Sequence, residues 1–181
     1  RMVDTSFTIE YPERRDSPVI FSSPHSGRDY PPAFLDQSLL DARLIRTSED
    51  AYVDQLFGSA PACGAPLISA RLPRAYLDLN RAPDELDPAL IDGVARPPHN
   101  PRVSSGLGVI PRVVANGRPI YRGKLSLSEA EDRIARVWHP YHDALRRLID
   151  ENQQVFGQAI LIDCHSMPHE AIEVHARPGQ P

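Results

Sequence analysis

Pro18-Val-Ile-Phe-Ser-Ser-Pro-His25-Ser-Gly27 decides the reading of this chain. Its pattern, a short apolar run leading into a polar turn that carries a histidine, returns at Ala159-Ile-Leu-Ile-Asp-Cys-His165-Ser166. Runs of this length bounded by Ser, Pro and Gly predict buried strands, and in open α/β sheets reactive groups gather at the strands' carboxyl ends. Both imidazoles then face one crevice. Two neutral imidazoles and a nearby carboxylate are the protein donors of a catalytic zinc site that keeps a fourth position open for water.

Working outward, Ser48 reads as the N-cap of a helix with Glu49 and Asp50 in its first turn and Val53, Leu56 and Phe57 facing inward. Pro66–Ala70 and Ala75–Asn80 read as two further short strands, the second alternating apolar and polar residues. Residues 82–125 are rich in Pro, Gly, Asp and Arg, too long for a structureless loop without a function, and predict an insertion covering the site. Within it, Val109–Tyr121 reads as a hairpin turning at Asn116-Gly117, with Pro111 and Pro119 making it an edge ribbon. Ser128-Glu-Ala-Glu131 reads as a capping box, followed by a long helix whose Ile134, Val137, Trp138, Tyr141, Leu145, Leu148 and Ile149 form one buried stripe. Gly157 ends that helix and 159–162 form the last core strand. Strands alternating with helices predict an α/β fold: a mixed, largely parallel sheet flanked by helices.

The 181 residues suit one domain, and 24 acidic against 20 basic side chains give no electrostatic claim on nucleic acid or a membrane surface. No apolar run approaches the ~20 residues that span a bilayer, and Arg1-Met-Val-Asp-Thr-Ser6 has no signal-peptide pattern, so a cytoplasmic protein is expected. Cys63 and Cys164 make no disulfide framework and are expected to be reduced. Lys124 is the single lysine, and the other basic side chains are all arginine, suited to bidentate capture of carboxylates. A compositional bias explains that choice equally, so each arginine is argued by position.

The third metal ligand is expected from Asp50 or Glu49. Neighbours on a helix point about 100° apart, so one of them reaches the metal, and a carboxylate in a first turn is explained as well by the helix dipole. His169 and His175 are alternative ligands in a polar tail, whereas His139 and His142 lie in the long helix, where His142 falls on the apolar stripe and reads as a buried, satisfied imidazole or a support behind the ligands, not a ligand itself. Cys164 cannot pair with His165 as nucleophile and base, because strand neighbours face opposite ways. Neither Pro-His-Ser-Gly nor Cys-His-Ser has the Gly-x-Ser-x-Gly frame of a serine hydrolase. In Arg71-Leu-Pro-Arg74-Ala-Tyr-Leu-Asp78-Leu-Asn80-Arg81, an amide followed by a guanidinium can hold an anion while Asp78 braces an arginine; surface ion pairs are the plainer alternative.

Ser-Pro-His25-Ser-Gly, Ser-Glu-Asp50-x-x-Val-Asp-x-Leu, Arg74-x-x-x-Asp78-Leu-Asn80-Arg81, His139-Pro-Tyr-His142 and Asp163-Cys-His165-Ser-Met, in this order, resemble the N-formylglutamate amidohydrolase family. That family is similar to zinc carboxypeptidases and aspartoacylase-like deacylases of phosphorylase/hydrolase-like fold. The resemblance implies removal of a formyl group from the nitrogen of glutamate, often late in histidine degradation. It implies His25, Asp50 and His165 as zinc ligands, and Asn80 with Arg81 as holders of a substrate carboxylate, Arg71 lying nearby. Arg74 is then placed to polarise the scissile carbonyl or bind the second carboxylate. Two departures stand out. Arg28 occupies the place of the glutamate in the carboxypeptidase His-x-x-Glu pair. Related chains also continue further and supply a general-base glutamate there, so 1–181 reads as one amidohydrolase domain lacking its C-terminal part, with Glu173 or Glu170 taking that role if the chain is complete. The expected partner is a small N-acyl acidic amino acid. A silent carboxylate-binding module and a zinc peptidase are the competing readings.

Overall fold

The computed structural model describes residues 2–3, 6–95 and 100–167. The strands are β1 (Met2–Val3), β2 (Phe7–Glu10), β3 (Val19–Ser23), β4 (Leu67–Ala70), β5 (Val113–Val114), β6 (Arg118–Pro119) and β7 (Ile160–Asp163). The α-helices are α1 (Pro32–Gln37), α2 (Val53–Leu56), α3 (Pro101–Ser104), α4 (Leu127–Arg133) and α5 (His139–Phe156). The main sheet has the order β1-β2-β4-β3-β7. β4, β3 and β7 are mutually parallel, and β2 pairs antiparallel with both β1 and β4. Only β2 therefore runs against the common direction, as expected of a mixed, largely parallel sheet.

Alternation along β3 separates the two layers of the fold. Ser22 lies on the face covered by α5, where its hydroxyl meets the Tyr141 hydroxyl at 2.9 Å, and Phe7 packs edge-on against the same ring at 6.0 Å. Phe21 points to the other face and meets Phe57, just beyond α2, at 5.6 Å. The helical stripe is buried at Ile134, Val137, Tyr141, Leu145 and Leu148, with Trp138 and Ile149 packed against the same core. Gly157 ends α5 in the left-handed conformation at φ 72°, which a residue without Cβ adopts at no steric cost.

Residues 82–125 are packed, not loose. Leu90, Ile91, Val109, Ile110, Val114, Ile120, Tyr121 and Leu125 all join the main core. The hairpin is present but shorter than expected: Val114 pairs with Arg118, and Asn116 (φ 61°) and Gly117 (φ 68°) supply the positive angles of a three-residue loop.

The structure corrects several local expectations. Two strands, β1 and β2, precede the run 18–23, and they are too short to stand out as apolar runs. Ala75–Asn80 forms no strand. Ala75, Leu77 and Leu79 are buried but so is Asp78 between them; the amides of Tyr76 and Leu77 return to the Pro73 carbonyl and that of Asp78 reaches Val109 O, so no ladder forms. Ser48 closes a 3-10 turn (Leu44–Ser48) instead of capping a helix, Tyr52 turns the chain at φ 64°, and Leu56 is exposed. The cap of α4 is Ser126, whose Oγ accepts from the Glu129 amide at 3.1 Å, while Glu129 turns to Arg133 and Gln37. Finally, β7 is an edge strand, exposed along its whole length, with no outer partner among the described residues.

Candidate metal centre

β3 and β7 are parallel neighbours with Ser22 opposite Asp163, so the turns that follow them emerge at the same end of the sheet. That register brings the two imidazoles together, with ring centroids 4.9 Å apart. Asp50 joins them from a non-helical segment, its amide donating to the His25 carbonyl at 3.0 Å. One Nδ1 or Nε2 atom from each histidine and one Asp50 oxygen lie within 4.8 Å of one another, a grouping that could hold a metal ion.

The two rings have the same polarity. Asp50 Oδ2 lies 3.6 Å from His25 Nδ1 and 2.8 Å from His165 Nδ1. On the far side, His25 Nε2 meets Asp78 Oδ1 at 2.8 Å and His165 Nε2 meets Asp163 Oδ2 at 2.9 Å. In the tautomer that donates each Nε2–H to a carboxylate, each Nδ1 lone pair would be turned to Asp50, the arrangement by which outer carboxylates orient metal-ligating histidines. His25 Nδ1 is buried and has no hydrogen-bond partner among the described residues. An orphaned buried nitrogen is costly, by about 1–3 kcal/mol, and a cation between it and Asp50 removes the cost. The donor set thus fits zinc.

Electrostatics hold the carboxylates ionised. Burial opposes the charge of Asp78, but His25, Arg74 and the Asn80 amide outweigh it and bring its pKa down to about 2. Asp50 is likewise lowered, against burial, by the neighbouring imidazoles of His25 and His165. Burial favours neutral His25, yet the Asp50 and Asp78 carboxylates beside it leave its pKa above the ordinary histidine value.

Gly27 makes this arrangement possible. A Cβ there would stand 2.0 Å from Leu72 O, so only glycine lets the His25 turn close against the Arg71–Leu72 backbone. Beside the cluster opens a cavity of about 490 Å³, with Asp50, Arg74 and Asp78 on one wall and Leu107, Val113 and the Asn116-Gly117 turn on the other. The hairpin thus borders the site.

The other singled-out residues divide clearly. Arg74 faces the cavity with its Nε on Asp78 Oδ2 at 2.9 Å. Asn80 sits beside the cluster, its Nδ2 donating to Asp163 at 2.7 Å and lying 3.0 Å from His165 Nε2. Arg81 is half-buried, and its guanidinium has one long bond to Asn80 O, an orphaned buried Nε and no ion pair. Among the described residues it is the only arginine that is not exposed and lacks a carboxylate partner. Arg71 is not brought to the cluster; it pairs with Asp29 at 2.8 Å in a separate recess that includes Ser26, Arg28 and Asp54. Glu49 turns away, accepting from Tyr30 at 2.6 Å and Arg46 at 3.1 Å, so Asp50 alone of the pair joins the cluster. Cys164 is buried. Glu170, Glu173, His169 and His175 lie outside the described residues.

A profile of the N-formylglutamate amidohydrolase family matches residues 17–181. The chain belongs to the N-formylglutamate amidohydrolase family. It is 32% identical over 152 residues to an N-formylglutamate deformylase of Pseudomonas putida and 31% identical over 153 residues to one of Pseudomonas aeruginosa. Each alignment covers 83% of this chain and 52% of the relative, so the chain spans about half the length of these curated relatives. The crystal structure of an N-formylglutamate amidohydrolase from Ralstonia eutropha JMP134 superposes with a TM-score of 0.88 at 35% identity, covering 98% of this chain and 64% of that one. A gene product of Agrobacterium tumefaciens, at 18% identity and TM-score 0.65 over 91% of this chain and 57% of its own, shares the fold.

Two residues that support this candidate site carry no such role in the sequence reading. Asp78 was read as a brace for an arginine, which it is, but its other oxygen holds His25. Asp163 stands in the Asp163-Cys-His165 motif with no role of its own in the sequence reading, although positions i and i+2 of a strand share a face and Asp163 stands two residues before His165.

Proposed function

We propose that this chain is a zinc-dependent amidohydrolase that cleaves N-formyl-L-glutamate, or a similar N-acyl acidic amino acid, to the acid and the free amino acid. The convergence of two carboxylate-backed imidazoles on Asp50 carries this reading. His25, Asp50 and His165 would hold the ion. Zinc, when bound, supplies a Lewis acid that polarises a carbonyl and acidifies water.

The chain's own groups divide the remaining work. Arg74, anchored through Nε by Asp78, keeps its terminal N–H groups free to donate to the scissile carbonyl oxygen as negative charge gathers there. Arg81 offers a guanidinium with no counter-ion among the described residues, and a substrate carboxylate supplies that charge in a planar, two-point contact. Asn80 stands between Arg81 and the cluster and lines the same carboxylate subsite. Water adds to the acyl carbon, the C–N bond breaks, and a proton passes from the water to the leaving amine; Glu173, or Glu170, is the candidate carrier. Residues 1–181 act as part of one amidohydrolase domain in which 82–125 wall the site. The reduced thiols of Cys63 and Cys164 suit the cytosol, where this reaction would release formate late in histidine degradation. No described helix is long and apolar enough to cross a membrane.

Elemental analysis paired with a hydrolysis screen of N-formyl, N-acetyl and N-succinyl amino acids tests the proposal. One zinc per chain and selective release of glutamate from N-formylglutamate are expected. Stoichiometric zinc with no release from any substrate would leave a silent binding module, and release from peptides alone would favour a peptidase.

A further inference from the structure

The His139-Pro-Tyr-His142 segment stands apart from the metal centre, yet its geometry assigns it work. Trp138 Nε1 donates to Arg81 O at 2.8 Å, and His142 Nε2 donates to Leu79 O at 2.9 Å. The two rings stack with centroids 3.9 Å apart and planes inclined by 28°. A carbonyl only accepts, so Nε2 of His142 carries its proton, and burial keeps the imidazole neutral by lowering its pKa.

These two bonds grip the chain on both sides of Asn80. From the other direction, Asp78 Oδ1 accepts from the Asn80 amide at 2.9 Å and Asp78 O accepts from the Arg81 amide at 3.2 Å. The segment 78–81 belongs to no strand, so no ladder fixes its peptide groups. Two helix side chains fix them instead.

The helix is built to allow this. Ile134–Trp138 is a π turn in which the His139 amide bonds Ile134 O, five residues back, and Pro140 follows with no amide to donate. Trp138, the last residue of the turn, and His142 in α5 are one helical turn apart and share a face. Removing one residue from the π turn would rotate everything before α5 by about 100° relative to that face.

We propose that Trp138 and His142 are positioning residues that set the direction of the Arg81 side chain, and so the affinity of the site for a carboxylate. This rests on the reading of Arg81 as the carboxylate-binding group. The clamp touches no reacting atom and acts through Arg81.

Trp138 is the only tryptophan of the chain, so its emission reports on the clamp directly. Titrating the zinc-loaded protein with glutarate, a dicarboxylate with no bond to hydrolyse, should give a saturable change in that emission, absent in Arg81→Met. Trp138→Phe and His142→Phe, which keep an aromatic ring and delete one donor each, should raise KM for N-formylglutamate about five- to tenfold at nearly constant kcat and zinc content. His142→Gln, which retains a side-chain N–H, should recover most of the loss. Folded Phe variants with wild-type KM would overturn the clamp. If those variants do not fold, wild-type emission that glutarate leaves unmoved, or that moves equally in Arg81→Met, would overturn it. An emission change that needs Arg81, without hydrolysis of N-formylglutamate, leaves the clamp standing and removes the proposed activity instead.

Discussion

His25 and His165 follow near-identical sequence patterns but stand in opposite surroundings. His25 leaves an interior strand, is 3% exposed, and is held by Asp78, itself 2% exposed. His165 leaves the edge strand β7, its side chain is 36% exposed, and its partner Asp163 is 39% exposed. Both rings turn Nδ1 to Asp50 and Nε2 to a carboxylate. The chemistry of the two halves is matched, while the packing behind them is not. Packing therefore decides what else is lost when either half is disturbed.

The largest effect expected is loss of the metal. His25→Ala and His165→Ala should each abolish zinc retention through dialysis, because two remaining donors do not hold the ion against water and chelators. They should differ in stability. His25→Ala leaves Asp78 buried with one fewer partner, and breaking a buried pair costs about 3–5 kcal/mol, whereas His165→Ala should leave the melting temperature of the metal-free protein nearly unchanged. Equal melting losses in metal-free samples would break the contrast, and stoichiometric zinc in either variant would remove the site.

A gentler probe removes only the supports. Asp78→Asn and Asp163→Asn should each weaken zinc binding by about 10–100-fold, measured by competition with a chromophoric chelator. Asp78→Asn should also lower stability; Asp163→Asn should not. Acid sharpens the same difference. Asp78 has its folded pKa lowered to about 2 from 3.8, so its contribution is complete above pH 4 and is lost as the pH falls toward 2. The shift corresponds to about 2 kcal/mol. Urea midpoints of the metal-free protein should drop across that window in the wild type and much less in Asp78→Asn. The smallest effect belongs to Glu49→Ala, which should leave zinc affinity within about twofold of wild type while removing the Tyr30 and Arg46 contacts. A larger loss than in Asp50→Ala would return the ligand role to Glu49.

What was legible in the sequence follows the range of the interactions. Apolar runs announce strands, so 18–23, 66–70 and 159–162 were readable, and with them the two histidines at one end of the sheet. The long helix was readable from its stripe. The position of Asp50 was not: a first-turn carboxylate and a carboxylate carried on an irregular turn have the same local pattern, and only the Asp50 amide bonding His25 O across the fold separates them. Ala75–Asn80 alternates like a strand because one side faces the core, but pairing is a property of partners distant in sequence, and none is there. The stripe places Trp138 in the core and leaves His142 as either a satisfied core imidazole or a support for the site, because periodicity locates a face without saying what the polar atoms on it will meet.

The open edge at β7 bears on how the protein behaves in a tube. Ile160, Leu161 and Ile162 are 44%, 43% and 39% exposed on a strand whose outer hydrogen-bonding groups have no partner among the described residues. Such an edge is a template for another strand, and natural proteins discourage the pairing with lysine, proline or a bulge, none of which β7 has. Light scattering from this chain should rise with concentration, and Leu161→Lys should suppress the rise. Where scattering rises as expected, the strand that delivers His165 doubles as a seam between copies, and the more weakly packed ligand is the one that association disturbs first.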